Sequence, residues 1–208
     1  MVNAVGTRNV ASAARAAGAR VIYVSTDYVF DGRKAGDYDE NDPVRPVNHY
    51  GRSKLDGEHH VNDLGPNLIV RTSWVYGEGR NFVRSILGAI EREWPMRVVD
   101  DQRGRPTAAL DVARALVHLM RQRVTGIVHV AGDGPPCTWA DLADHVLASA
   151  GAHARVERID SRAYQESAGK LVAPRPANSA LSLDRARGLG VPLPDWRGAV
   201  ASYVRGQT

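Results

Sequence analysis

Short apolar runs recur along the chain, each closed by polar residues or a turn: Val21–Val24, Asn67–Thr72, Met96–Val99 and Gly126–Val130. They are brief and rich in β-branched residues, which predicts buried strands. Between them the apolar positions change to helical spacing. Phe82, Val83, Ile86, Leu87 and Ile90 form one stripe. A helix over about 108–120 is predicted to pack through Leu110, Ala113, Leu116, Val117 and Met120. Another starts at Thr138–Asp141, which has the form of a capping box, buries Trp139, Leu142, Ala143, Val146 and Leu147, and stops at Gly151. Leu193-Pro194-Asp195-Trp196 leads into a last helix. Residues 1–20 read as an Ala-faced helix ended by Gly18, or as an organelle transit peptide; the direct run into Val21 favours the helix. Strands alternating with helices make the fold class α/β.

At 208 residues the chain is long enough for a real core and reads as one domain over 1–208. No apolar run approaches the roughly 20 residues of a membrane span, which argues against a membrane partner. The net charge of +4 permits an anionic ligand, but the arginines are scattered rather than striped, which argues against nucleic acid. Cys137 is the lone cysteine, so there is no disulfide framework and no cysteine metal site, and a reducing cytoplasm is expected. The adjacent His59 and His60 cannot share a helical face and read as surface residues rather than metal ligands, and His129 reads as a core residue.

The candidate chemistry lies between Val21 and Glu58. The first strand ends in Ser25-Thr26-Asp27, so hydroxyls and a carboxylate leave the sheet at its carboxyl edge, where open α/β sheets bind ligands. After a loop rich in Asp, Gly and Pro, Tyr50-Gly51-Arg52-Ser53-Lys54 opens a helix, and Tyr50 and Lys54, four apart, project from one face. With 7 Tyr and 3 Lys in 208 residues, such spacing arises by accident about 0.1 times. A phenol is a poor acid near neutral pH, with an ordinary pKa of about 10, and a nearby ammonium makes its anion easier to form. A Thr hydroxyl can bind the oxygen on which charge develops. The trio therefore suits proton transfer to a carbonyl oxygen during hydride reduction.

The segments STDYVFDG and YGRSKLDGE resemble those of the extended short-chain dehydrogenase/reductases and, within them, the dTDP-4-dehydrorhamnose reductases, over about Asn3 to Val200. The resemblance implies the carboxyl-terminal half of a Rossmann-type parallel sheet with a small, interleaved substrate-binding lobe. It implies reduction of the C4 ketone of dTDP-4-dehydro-6-deoxy-L-mannose to dTDP-L-rhamnose, with NADPH or NADH as cofactor and a dTDP-linked 4-keto-6-deoxysugar as partner. Thr26, Tyr50 and Lys54 become catalytic, with Tyr50 the proton donor. Ser25, Tyr50, Lys54, Thr72 and Ser73 become cofactor-binding residues. Asp27, Tyr28, Trp74, Asn81, Gln102, Arg105, Thr107 and Arg175 become substrate-binding residues, the last four from DQRGRPT and RPANS. Asn3 falls at the structural asparagine of the wider superfamily. No metal is expected, and a homodimer is left open.

One departure stands out. The family holds the dinucleotide's pyrophosphate on a Gly-rich turn in an amino-terminal half that precedes Asn3, where this chain has Met1 and Val2. The nearest lookalike, Val75-Tyr76-Gly77-Glu78-Gly79, has Phe82 in place of the third glycine. A truncated copy is expected, with a bare apolar edge on the first strand. The alternative function is a non-catalytic sugar-nucleotide-binding or regulatory module.

Overall fold

The computed structural model describes residues 2–63, 65–169 and 172–206. A wide helical turn at Val2–Gly6 precedes helix α1 (Thr7–Ala16). Strands β1 (Ile22–Thr26), β2 (Leu68–Thr72), β3 (Val75–Tyr76), β4 (Met96–Val99), β5 (Arg103–Gly104), β6 (Thr107–Ala108), β7 (Gly126–His129), β8 (Cys137–Thr138) and β9 (Val156–Ile159) follow in chain order. They are interleaved with α2 (His49–Asn62), α3 (Phe82–Glu91), α4 (Ala109–Arg121), α5 (Trp139–Ser149), α6 (Ser161–Ser167), α7 (Asp184–Gly188) and α8 (Trp196–Arg205).

β1, β2 and β7 form a parallel sheet in that order, as a succession of crossover units requires. The register pairs Ser25 with Arg71 and Thr26 with Thr72, so the hydroxyl-bearing ends of two strands lie side by side at the carboxyl rim. A core of Leu68, Val70, Ala115, Leu119, Val128 and Val130 covers one face. On the other, Ala11 of α1 meets Val61 and Ile69. The remaining strands pair two by two: β3 with β6, β4 with β9, and β5 with β8. Their lobe has its own core, in which Val83, Ile86, Val98, Leu142, Val146 and Trp196 meet. Its strands lie between β2 and β7 in sequence and again after β7, so the lobe is interleaved with the sheet as expected.

Two sequence expectations shift. The first strand runs on to Thr26, because parallel pairing with β2 continues to the rim. Helix α4 buries Val112, Ala115 and Leu119, while Leu110, Val117 and Met120 are 60%, 42% and 51% exposed. Apolar residues surround most of that helix, so spacing alone could not choose the stripe. The sheet takes the one with Ala115 at its centre. Among the described residues, β1 pairs with β2 alone, and Val24 on it is 38% exposed. No described helix is long and apolar enough to cross a membrane.

Candidate active site

Thr26 closes β1 in an extended conformation, and its hydroxyl accepts the Tyr28 N–H at 3.2 Å, opening a tight turn over Asp27–Val29. Asn48 caps α2 by accepting the Gly51 N–H at 2.8 Å, and its amide donates to the Pro174 carbonyl at 2.9 Å. Gly51 lies against the Tyr28 backbone so tightly that a Cβ there would land on the Tyr28 carbonyl. These contacts bring Tyr50 to Thr26. Both line a cavity of about 330 Å³ together with Tyr28, Thr72, Trp74 and Arg175. The Tyr28 and Tyr50 rings meet edge to face with centroids 6.0 Å apart. Burial raises the Tyr50 phenol above its ordinary pKa; the Thr26 hydroxyl opposes that shift, and the Asp27 carboxylate adds to it. Tyr50 thus carries its proton at neutral pH, as a donor must.

Lys54 does not line this cavity. Its ammonium donates to the Val24 carbonyl at 2.6 Å and lies 4.2 Å from the centre of the Tyr23 ring. Val21 gives its carbonyl to Leu68 on β2. Alternation then turns the Val24 carbonyl to the free edge of β1, where Lys54 is its partner. The four-residue spacing put Tyr50 and Lys54 on one side of α2, but the long lysine stem follows the strand edge. Burial lowers the Lys54 pKa from its ordinary value.

Behind the cavity lies a buried polar layer. Ser25 borders the cavity, yet its hydroxyl donates to Glu58 at 2.5 Å. Glu58 in turn takes two hydrogen bonds from Arg71, at 3.0 and 2.7 Å. Asp27 is 2% exposed and holds the Thr26 hydroxyl on one carboxylate oxygen and the Ser73 hydroxyl on the other, both at 3.0 Å. Burial pushes its pKa up to about 6 against the pull of those hydroxyls. Ser25 and Asp27, expected to touch ligand, border the cavity with their polar atoms bonded to the protein, and Ser73 is bonded likewise without lining it. Thr72 differs: its hydroxyl is buried at the cavity with no partner among the described residues.

A second cavity of about 350 Å³ adjoins the first and shares Trp139 and Arg175 with it. Gln102 lines it, donating to Ser161 at 2.7 Å, beside Phe82, Tyr164 and Arg97. Arg105 and Thr107, expected here, line neither cavity. Arg105 is buried against Asp37 at 2.5 Å through Nη2 and donates to the Gly134 carbonyl through Nη1, while its Nε finds no partner among the described residues. Thr107 donates to the Arg105 carbonyl and accepts from Gly132 N–H. Asn81 is the cap of α3, accepting from Arg84 and donating to the Gly77 carbonyl, and it too lies outside both cavities. Sequence reasoning read Trp139 and Phe82 as core and passed over Ser161, Tyr164 and Arg97. The 3.6-residue pattern reports burial and cannot separate a packed face from a cavity wall.

A parallel sheet with a threonine at its carboxyl rim and a Tyr-x-x-x-Lys helix beside it defines the short-chain dehydrogenase/reductase class of Rossmann-type proteins. Within that class, the family model described as "RmlD substrate binding domain" matches residues 1–208, and the chain belongs to that family. It is 39% identical over 217 residues to a dTDP-4-dehydrorhamnose reductase of Sinorhizobium fredii, covering 98% of this chain and 71% of the relative. A crystal structure of a dTDP-4-dehydrorhamnose reductase from Clostridium acetobutylicum superposes with a TM-score of 0.91 at 33% identity, covering 99% of this chain and 72% of that one. The Bacillus anthracis dTDP-4-dehydrorhamnose reductase, solved in complex with NADP, gives 0.90 at 32% identity, again with 99% and 72% covered.

Proposed function

We propose that this chain reduces the C4 ketone of dTDP-4-dehydro-6-deoxy-L-mannose to give dTDP-L-rhamnose, with NADPH or NADH as reductant. The observation that carries the reading is the meeting of Tyr50 and Thr26 in one cavity that shares Arg175 with a second. The first cavity suits a hexose and the second a nucleoside. The exposed Arg175 guanidinium, common to both, lies where a diphosphate would join them.

The residues at the rim fit the nicotinamide end of a dinucleotide. The unspent Thr72 hydroxyl borders the cavity, and Lys54 offers an ammonium on the same helix as Tyr50. A reduced nicotinamide bound there supplies the hydride. The chain's own residues do the rest. Tyr50 gives its proton to the C4 oxygen, and Thr26 turns its hydroxyl from Asp27 to the same oxygen. Trp74 forms the sugar-facing wall. Residues 1–208 act as a single reductase-like domain in this reading, and a homodimer is consistent with the exposed apolar face of α4.

The alternative is a non-catalytic sugar-nucleotide-binding module, which Lys54 favours by facing the strand edge instead of the cavity. Loss of NADPH absorbance on mixing with the dTDP-ketosugar tells the two apart. Turnover is expected, and Tyr50→Phe should lower it by about 10²–10⁴-fold, the usual worth of a general acid. A Tyr50→Phe protein as fast as wild type overturns the role of Tyr50. A folded chain that binds the sugar nucleotide without turnover supports the module.

A further inference from the structure

Trp74 has an uncommon backbone for a bulky residue, with φ at 44°, and such strain persists only where the surroundings hold it. Here two neighbours do. The Trp139 ring stacks on it with centroids 3.6 Å apart and planes 7° from parallel. On another side, Gly104 leaves room for the indole: a Cβ there would come within 2.8 Å of Trp74 Cζ2 and closer still to other ring atoms. Trp139 is in turn fixed as the first residue of α5, whose cap Thr138 accepts from Asp141 N–H at 3.1 Å and donates to Asp100 at 2.7 Å. Phe82 leans on its ring at 4.7 Å. Trp139 borders both cavities, whereas Trp74 borders the first alone. The Trp139 indole N–H is buried with no acceptor among the described residues, so the shared wall keeps one donor unspent.

We propose that Trp139 is a specificity-determining residue: stacked on Trp74, it is the partition between the two cavities, and it selects ligands that place a sugar on one side and a nucleoside on the other. The proposal rests on the reading of the two cavities given above. Gly104 is a positioning residue in the same device, since it touches the site only through Trp74.

The experiment measures affinity for dTDP, dTDP-L-rhamnose and UDP-glucose by calorimetry, with no need for turnover. Trp139→Ala should weaken dTDP and dTDP-L-rhamnose alike by about ten- to a hundredfold, the range that loss of one aromatic platform gives. Trp139→Phe should restore most of that, which guards against a variant that merely unfolds. Trp74→Ala and Gly104→Ala should weaken dTDP-L-rhamnose and leave dTDP unchanged. The stacked indoles should also give an exciton couplet in circular dichroism that Trp139→Phe and Gly104→Ala abolish or reduce. Wild-type binding of dTDP-L-rhamnose unaltered in folded Trp139→Ala overturns the proposal and leaves the function standing. Binding of UDP-glucose alone, with the same dependence on Trp139, overturns the dTDP reading and supports the partition. Binding of none of the three overturns both.

Discussion

Glu58→Gln tests whether the buried layer behind the site holds the sheet and α2 together. The Glu58 and Arg71 side chains are each 3% exposed and form a two-pronged pair, with Nε–Oε1 at 3.0 Å and Nη2–Oε2 at 2.7 Å. The amide keeps the volume and one acceptor but removes the charge. Arg71 would then be an uncompensated buried cation, and breaking one partner of such a pair costs about 3–5 kcal/mol. Little nearby relieves it. Its Nη1 has no partner among the described residues, and the Phe30 ring, 5.2 Å away, offers only a cation–π contact. For a chain of this size each kcal/mol lowers the melting temperature by about 2–4 °C, so a fall of roughly 6–20 °C is expected. Urea unfolding followed by fluorescence reads the free energy directly. Replacing both partners with apolar residues, Glu58→Leu with Arg71→Met, should recover most of the loss, because the desolvation cost disappears with the charges. A Glu58→Gln protein within about 1 kcal/mol of wild type would refute the reasoning, since a buried charge left alone cannot be so cheap.

Asp27 gives a pH signature of the opposite kind to most carboxylates. Its folded pKa is about 6, above the ordinary 3.8. Below the ordinary value it is neutral in both states; between the two values the native state binds more protons, so stability falls as pH rises through that window. Two units correspond to about 3 kcal/mol at most. Asp27→Asn should therefore be more stable than wild type at pH 7, with the gap closing by pH 4; curves that stay parallel would exclude this. Gly51→Ala should cut turnover at least tenfold while leaving α2 helical, because its Cβ pushes Tyr50's turn off the Tyr28 carbonyl. Steady-state rates beside circular dichroism check it, and full activity would mean that the fit between α2 and the Tyr28 turn is loose.

Much of this fold was legible because the hydrophobic pattern is periodic and its punctuation is strong. The Thr138–Asp141 box and the Gly151 stop stand where local chemistry puts them. Helix α4 was legible as a helix but not in its orientation, because its apolar residues run most of the way round and only the sheet decides. At the site, Thr26 and Tyr50 could be paired from position at a strand end and a helix start. The contact of Arg105 with Asp37 could not be read, because the two are 68 residues apart and Asp37 lies in a loop without periodicity. Trp139 was hidden by its own good packing: a residue that is at once core and cavity wall leaves only the core signal in the pattern.

The two dipeptides that end β1 and β2 show how one strand period divides labour. Ser25 pairs in register with Arg71, and both turn to Glu58 beneath the rim. One residue further, Thr26 pairs with Thr72, and both line the cavity. Because side chains alternate across a strand, neighbouring positions must serve opposite sides. The Ser25 hydroxyl that holds Glu58 and the Thr26 hydroxyl that meets Asp27 are thus one residue apart by geometry. The same logic carries past the strand ends, where Asp27 and Ser73 bond to each other and close the layer from above. A site of this kind needs no long loop to aim its polar groups. The sheet's register does so, and the buried ion pair and carboxyl behind it hold the Ser25 and Thr26 hydroxyls in place.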